Sequence, residues 1–244
     1  ISYSELPATI DYVLLTHTHM DHANIETLLQ LRYKTKKVVV PKNNGGSLAD
    51  PSLRLMLQQL NFDVLEVDDL DEISIPDGRI ASIPFLGEHG DLNIRSKTAW
   101  YIEAYGKKCF FGADSSNPDP HLYRRLGKLF TDLDILAIGM ECVGAPYTWA
   151  YGALHTKKVP KNIKNSRRLD GSDCEQALPM VKEFNAKQVC VYAIGLEPCF
   201  KYFNGLEHAQ DSRQVLESNK FLAACKDINV PAEIMFCKKT INLK

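Results

Sequence analysis

The 244-residue sequence has no run of about 18 apolar residues, so no segment reads as a membrane-spanning helix. Its opening, ISYSELPATI, lacks the charged-then-apolar pattern of a secretory signal peptide, and it lacks a Met. An excess of charge of one sign is also missing. Lys and Arg number 29 against 30 Asp and Glu, and the formal net charge of -1 argues against bulk affinity for nucleic acid. The 7 cysteines are odd in number, scattered and free of any C-x-x-C pair, which argues against a disulfide framework. Several sit in apolar runs, as Cys190 does in VCVYAIG, and read as free buried thiols of a reducing cytoplasm. Repeats, low-complexity tracts and linkers are absent as well. What is present is ordinary globular composition, 45% hydrophobic and 24% charged. The simplest reading is one mixed α/β domain over residues 1–244.

Strand-like and helix-like patterns alternate along the chain. DYVLLT (11–16) and KVVVP (37–41) read as strands, and IETLLQLRY (25–33) and LRLMLQQL (53–60) as helices. VLEV, EISI and IASIPF read as short strands, the last two separated by the turn Pro76-Asp77-Gly78. TAWYIEAYGKKCFFGAD (98–114) reads as a hairpin about Tyr105-Gly106-Lys107. Further on come a helix over 121–130, a buried strand DILAIGME (134–141) and an irregular stretch over 142–171. A helix over 174–184 follows, entered through Ser172 or Asp173 and weakened by Pro179. The strand QVCVYAIG (188–195), a helix over 211–228 and two strands, AEIMF and KKTINL, close the chain.

Chemistry concentrates in Thr16-His17-Thr18-His19-Met20-Asp21-His22, directly after DYVLLT. Imidazole and carboxylate are borderline-hard ligands that suit zinc or iron. Alternate residues leaving a strand project to one side, so His17 and His19 are expected to reach one metal. Asp21 and His22, in the turn before the next helix, are expected to reach a second. A surface histidine cluster is the alternative reading.

This segment resembles the H-x-H-x-D-H signature of the metallo-β-lactamase superfamily. The resemblance implies a sandwich of two β-sheets with helices on both outer faces, the αββα arrangement. It also implies further ligands: His89 in IPFLGEHGDL, with Glu88 as an alternative ligand or a supporting contact, and a metal-bridging Asp114 in KKCFFGADSS. The metal set is then His17, His19, Asp21, His22, His89 and Asp114. Hydrolases of the superfamily end another strand with a His, but the matching strand KQVCVYAIGLEP has none, and Glu197 is the nearest group able to ligate. Glu141, ending DILAIGME, is another carboxylate at a strand end. Asp21, Glu88, Glu141 and Glu197 are thus the candidate catalytic carboxylates. Such a carboxylate-rich set shifts the expected pair of metal ions from zinc toward iron or manganese. Only about 16 residues precede the motif, where superfamily members have several strands. Either those strands belong to a missing segment, the chain then being a fragment of a longer protein, or the fold is abbreviated.

Within the superfamily, GEHGDLNIRSKTAW, FFGADSSN, GMECVGAPYTWAYGAL, RRLDGSD and YAIGLEP resemble one branch, the diiron β-hydroxylases of carrier-protein-bound amino acids. The resemblance implies an O2-activating diiron oxygenase that hydroxylates a carrier-bound aminoacyl group. Two alternatives stand beside it. One is a di-zinc hydrolase that uses metal-activated water on an ester, thioester, amide or phosphoester. The other is a non-catalytic metal-binding module. Lys157, Lys158, Lys161, Lys164, Arg167 and Arg168 form a basic run that reads either as a solvated loop or as a patch for an acidic carrier protein. The aromatic stretch Pro146–Tyr151 before it reads as a substrate-pocket wall or as core packing.

Overall fold

The structure is a computed structural model, and it describes residues 3–42, 50–88, 95–146, 156–158, 160, 167–198 and 208–243. Twelve strands and five α-helices are described. They are β1 (Ile10–Leu14), α1 (Ile25–Leu31), β2 (Thr35–Pro41), α2 (Ser52–Gln59), β3 (Val64–Val67), β4 (Glu72–Ile75), β5 (Gly78–Ile83), β6 (Ala99–Ala104), β7 (Lys107–Phe111), α3 (Pro120–Leu129), β8 (Ile135–Gly139), β9 (Ala145–Pro146), β10 (Arg167–Leu169), α4 (Cys174–Glu183), β11 (Val189–Tyr192), α5 (Arg213–Asp227) and β12 (Ala232–Ile234).

Among the described residues the strands form a small sheet ordered β1-β2-β3, a large one ordered β12-β11-β8-β7-β6-β5-β4, and the pair β10-β9. The small sheet is parallel throughout. The large sheet is parallel from β12 to β7 and antiparallel from β7 to β4. Side chains alternate across the small sheet with period two. Val38 and Val40 face α1 and α2, packing with Leu28, Leu53 and Leu57. Val39 faces the other way and meets Val67, Ile80 and Trp100 between the two sheets. On the outer face of the large sheet, α3, α4 and α5 cover the largest core, which includes Tyr101, Phe110, Leu136, Phe184 and Phe221. This is the expected αββα layering. Each fully buried Val, Leu or Phe contributes roughly 1.5–3 kcal/mol of transfer free energy, so these three apolar layers fix the sheets relative to one another.

The hairpin about Tyr105 and Gly106 forms as expected, with Trp100 opposite Phe111. The helix α4 also forms despite Pro179, because Asp173 and Gln176 close a reciprocal capping box and Ala177, Met180 and Val181 are buried. Two expectations need correction. The first strand stops at Leu14, before the histidines. KKTINL makes no strand. Its alternating Ile241 and Leu243 instead pack onto Ile135, Ala137 and Cys190 without joining a ladder, so apolar alternation here reports burial rather than pairing. No helix among the described residues is long and apolar enough to cross a membrane.

Candidate metal centre

The histidine segment leaves β1 between the two sheets. Leu15 N–H still donates to Val39 O at 3.0 Å, but the next tether is to the large sheet, where Thr98 N–H donates to Thr16 O at 2.9 Å. The chain then turns, with His22 and Ala23 N–H donating to His19 O, and Asn24 caps α1 by accepting from Thr27 N–H. This turn, rather than strand alternation, brings the imidazoles together. The ring centroids of His17 and His19 are 4.7 Å apart, and those of His17 and His22 are 4.4 Å apart.

Asp114 arrives from the large sheet. After β7, Gly112 N–H donates to Ala137 O, and Ala113 takes a left-handed φ of 48°. The Tyr192 hydroxyl accepts from Ala113 N–H at 2.8 Å, while Gly139 N–H donates to Ala113 O. Gly139 is required by this approach. A Cβ there would lie 2.7 Å from Ala113 O and 2.9 Å from Asp114 Oδ1. Glu88 comes from the turn after β5, where Gly87 has φ +89° and Glu88 itself φ 64°. A left-handed backbone costs an L-residue such as Glu88 roughly 1–2 kcal/mol, so the turn must be held by its surroundings.

Two overlapping groups result. In one, ligand atoms of His17, His19 and Glu88 all lie within 4.8 Å of one another; in the other, those of His17, His22 and Asp114 do. His17 Nε2 is 3.8 Å from Glu88 Oε1 and 3.9 Å from Asp114 Oδ2. His19 Nδ1 contacts Glu88 Oε1 directly, and His22 Nε2 is 2.7 Å from Asp114 Oδ2. Asp114 Oδ1 is buried with no hydrogen-bond partner among the described residues. A buried carboxylate oxygen left without a partner costs free energy, and a cation beside it removes that cost. The donor set of imidazoles and carboxylates therefore fits metal ions.

The electrostatics agree with that fit. Burial works against a charged His22, but the charge and hydrogen bond of Asp114, with help from Asp21 and Glu88, push its imidazole up to about 9. Burial raises the carboxyls of Glu88 and Asp21, opposed by His19 and His22 respectively. Lys97, beside the Glu88 turn, is pulled down to about 8 by burial, against the attraction of Glu88.

The remaining candidates are placed as follows. Asp21 Oδ2 is 3.7 Å from His22 Nε2, outside both groups, and its side chain is 38% exposed. Glu141 does follow β8, but its Oε1 accepts from Val143 N–H, Gly144 N–H and Gln214 Nε2, and its Oε2 lies 3.8 Å from His208 Nε2. Glu197 accepts from Cys237 N–H and joins neither group. His89 lies outside the described residues; its neighbour Glu88 is brought to the histidines. Lys157 and Lys158 are exposed; Lys161, Lys164 and residues 147–151 lie outside the described residues, as do the side chains of Arg167 and Arg168. Sequence reasoning missed Thr16, whose Oγ1 is 3.0 Å from His17 Nδ1, and Thr18, which donates to Asp50 Oδ2 at 2.8 Å. It also missed Lys97 and Tyr192. The two threonines could have been found from their places beside the histidines, but no local signal marks Lys97 or Tyr192.

Residues 3–157 match the beta-lactamase superfamily domain. The chain belongs to the beta-lactamase superfamily. It is 38% identical, over 99% of its length, to the 4-amino-L-phenylalanyl-[CmlP-peptidyl-carrier-protein] 3-hydroxylase of Streptomyces venezuelae. It spans 46% of that relative, about half its length. The crystal structure of CmlA, a diiron beta-hydroxylase from Streptomyces venezuelae, superimposes with a TM-score of 0.91, covering 99% of this chain and 47% of that one. Igni18, a metallo hydrolase from the archaeon Ignicoccus hospitalis, shares the fold at 14% identity, with a TM-score of 0.58 over 97% of this chain and 80% of that one.

Proposed function

We propose that this member of the superfamily carries the diiron site of an oxygen-dependent hydroxylase acting on an aminoacyl group held by a carrier protein. The observation that carries the reading is Glu88 against His17 and His19. A carboxylate stands there among the imidazoles, and such a mixed set favours iron over zinc. Likeness over 99% of the chain to a 3-hydroxylase of a carrier-bound aminoacyl group supports the substrate class.

An imidazole nitrogen has one lone pair, so His17 serves one ion only. We assign His17, His19 and Glu88 to the first ion and His22 and Asp21 to the second. Asp114 stands between them. Its Oδ2 lies 2.7 Å from His22 Nε2 and 3.9 Å from His17 Nε2, so the carboxylate faces both sets. When bound, a pair of ferrous ions supplies the dioxygen chemistry that hydroxylates a C–H bond. The residues do the rest. With Nε2 as the ligating atom, His17 carries its proton on Nδ1, 3.0 Å from Thr16 Oγ1, and Tyr192 and Gly139 fix the turn that aims Asp114. Phe85, with its ring centroid 5.9 Å from that of His17, excludes water behind the first ion.

The carrier meets the basic run that includes the exposed Lys157 and Lys158. All six described cysteines are free, which suits work in a reducing cytoplasm. The test is to load the protein anaerobically with ferrous iron, then add reductant, oxygen and an aminoacyl thioester on a carrier. Oxygen uptake and a product heavier by one oxygen atom are expected. Release of free amino acid by the zinc-loaded protein, without oxygen uptake, would establish a hydrolase instead.

A further inference from the structure

Lys97 belongs to neither ligand group, yet its ammonium points inward onto the turn that carries Glu88. Nζ donates to Gly87 O at 2.5 Å and lies 5.2 Å from the centroid of the Phe85 ring, which gives the cation an aromatic face. The Gly87 carbonyl and the Glu88 N–H belong to one planar peptide unit. Glu88 N–H donates to Asp170 O at 3.1 Å. The unit is therefore gripped from both sides, by Lys97 on its oxygen and by Asp170 on its nitrogen. The preceding residue is tethered separately, since Ser116 N–H donates to Leu86 O at 2.9 Å. The orientation of the 87–88 peptide sets the φ of Glu88, and hence the direction in which its Cβ leaves the backbone. A free peptide would relax from the left-handed conformation and turn the carboxylate away from His17 and His19.

We propose that Lys97 is a positioning residue for Glu88, holding the Gly87–Glu88 peptide in the orientation that delivers the carboxylate to the two histidines. The proposal rests on the reading above, in which Glu88 holds a metal ion. Partners one step removed from a metal typically alter its affinity 10–100-fold, which sets the expected scale.

The test compares the parent chain with Lys97→Met, which keeps the stem and removes the donor, and with Lys97→Arg, which keeps a cationic donor. Each is titrated anaerobically with ferrous ion against a chromogenic chelator, and the metal-free forms are melted by circular dichroism. In Lys97→Met one of two ferrous equivalents is expected to weaken 10–100-fold while the other holds. The metal-free melting temperature is expected to stay at the parent value. Lys97→Arg is expected to lose less than tenfold. Parental affinity for both ions in Lys97→Met would overturn the proposal. So would an equal loss in both variants, which would show that packing rather than the tether matters. If Lys97→Met does not fold, Lys97→Leu, which also lacks a donor, replaces it in the same comparison, with the same two results deciding. A parent that takes up fewer than two ions refutes the diiron reading, whereas a parent with two ions and an unaffected Lys97→Met refutes only the role of Lys97.

Discussion

The two halves of the centre are built differently. On the side of His17, His19 and Glu88, the side chains are 0%, 6% and 4% exposed. On the other side His22 and Asp114 are 10% and 11% exposed, and Asp21 is 38% exposed. The closed half draws on both sheets and on tethers from residues far along the chain. His17 leans on Thr16, whose carbonyl is bound by Thr98, and Glu88 hangs from the peptide held by Asp170 and Lys97. In the open half Asp21 and His22 sit on one short turn, while Asp114 is delivered by the large sheet. Preorganised, water-excluded ligands hold an ion in fixed geometry, whereas an open side leaves room for exchange and for substrate. The closed half is thus suited to retention and the open half to chemistry.

Asp114 joins the halves, so its removal should break the distinction. Asp114→Ala is expected to leave no metal on the protein after desalting, measured by elemental analysis. Retention of one full equivalent would show that the halves bind independently. Glu88→Gln comes next. It preserves shape and leaves the open half intact, so one equivalent should be lost, and its affinity should fall by more than the 10–100-fold that loss of an outer partner costs. Loss of both equivalents would mean that the open half cannot bind alone.

Acidity offers a gentler probe. In the metal-free protein His22 titrates near 9 instead of near 6.5. A group whose folded pKa is raised adds stability that is complete below the unfolded value and is lost as pH rises through the folded one. Metal-free protein is therefore expected to weaken between about pH 6.5 and 9, by at most about 1.4 kcal/mol for each pH step of one. Urea midpoints at the two ends of that range measure it. Loaded protein should lose this trend, because a cation competes with the proton for Nε2. A metal-free midpoint that is flat or rises over the range would mean that Asp114 does not hold His22 charged.

Much of this architecture was legible in the sequence. Val38, Val39 and Val40 announce a strand buried on both faces, and the 98–114 segment announces its hairpin. The approach of Asp114 to His17 and His22 was legible only through the resemblance to the superfamily, which implies an Asp after a later strand. The placing of Glu88 at the histidines was not, since it depends on the left-handed backbone φ of Glu88, which only the fold reveals. Glu141 and Glu197 looked equivalent to Glu88 in sequence. Their carboxylates are instead engaged by the N–H groups of Val143 and Gly144 and by that of Cys237, local contacts that composition cannot reveal. Lys97 was invisible for a related reason, because a lysine in RSKTAW reads as surface until tertiary structure turns it inward.

The smallest expected effect sharpens the contrast most. In the closed half Thr16 Oγ1 sits 3.0 Å from His17 Nδ1, and an imidazole that ligates through Nε2 must carry its proton on Nδ1. Thr16→Val keeps the shape of the side chain and removes the acceptor. Without it the neutral ring can take either tautomer, and the one protonated at Nε2 is unable to ligate. Affinity for the ion in the closed half should fall about tenfold, the low end for an outer partner, with the other equivalent unchanged. Serine at the same position keeps the hydroxyl and should restore binding. Equal losses for Thr16→Val and Thr16→Ser would trace the effect to packing around the ring rather than to its proton, and the closed half would then owe its order to burial alone.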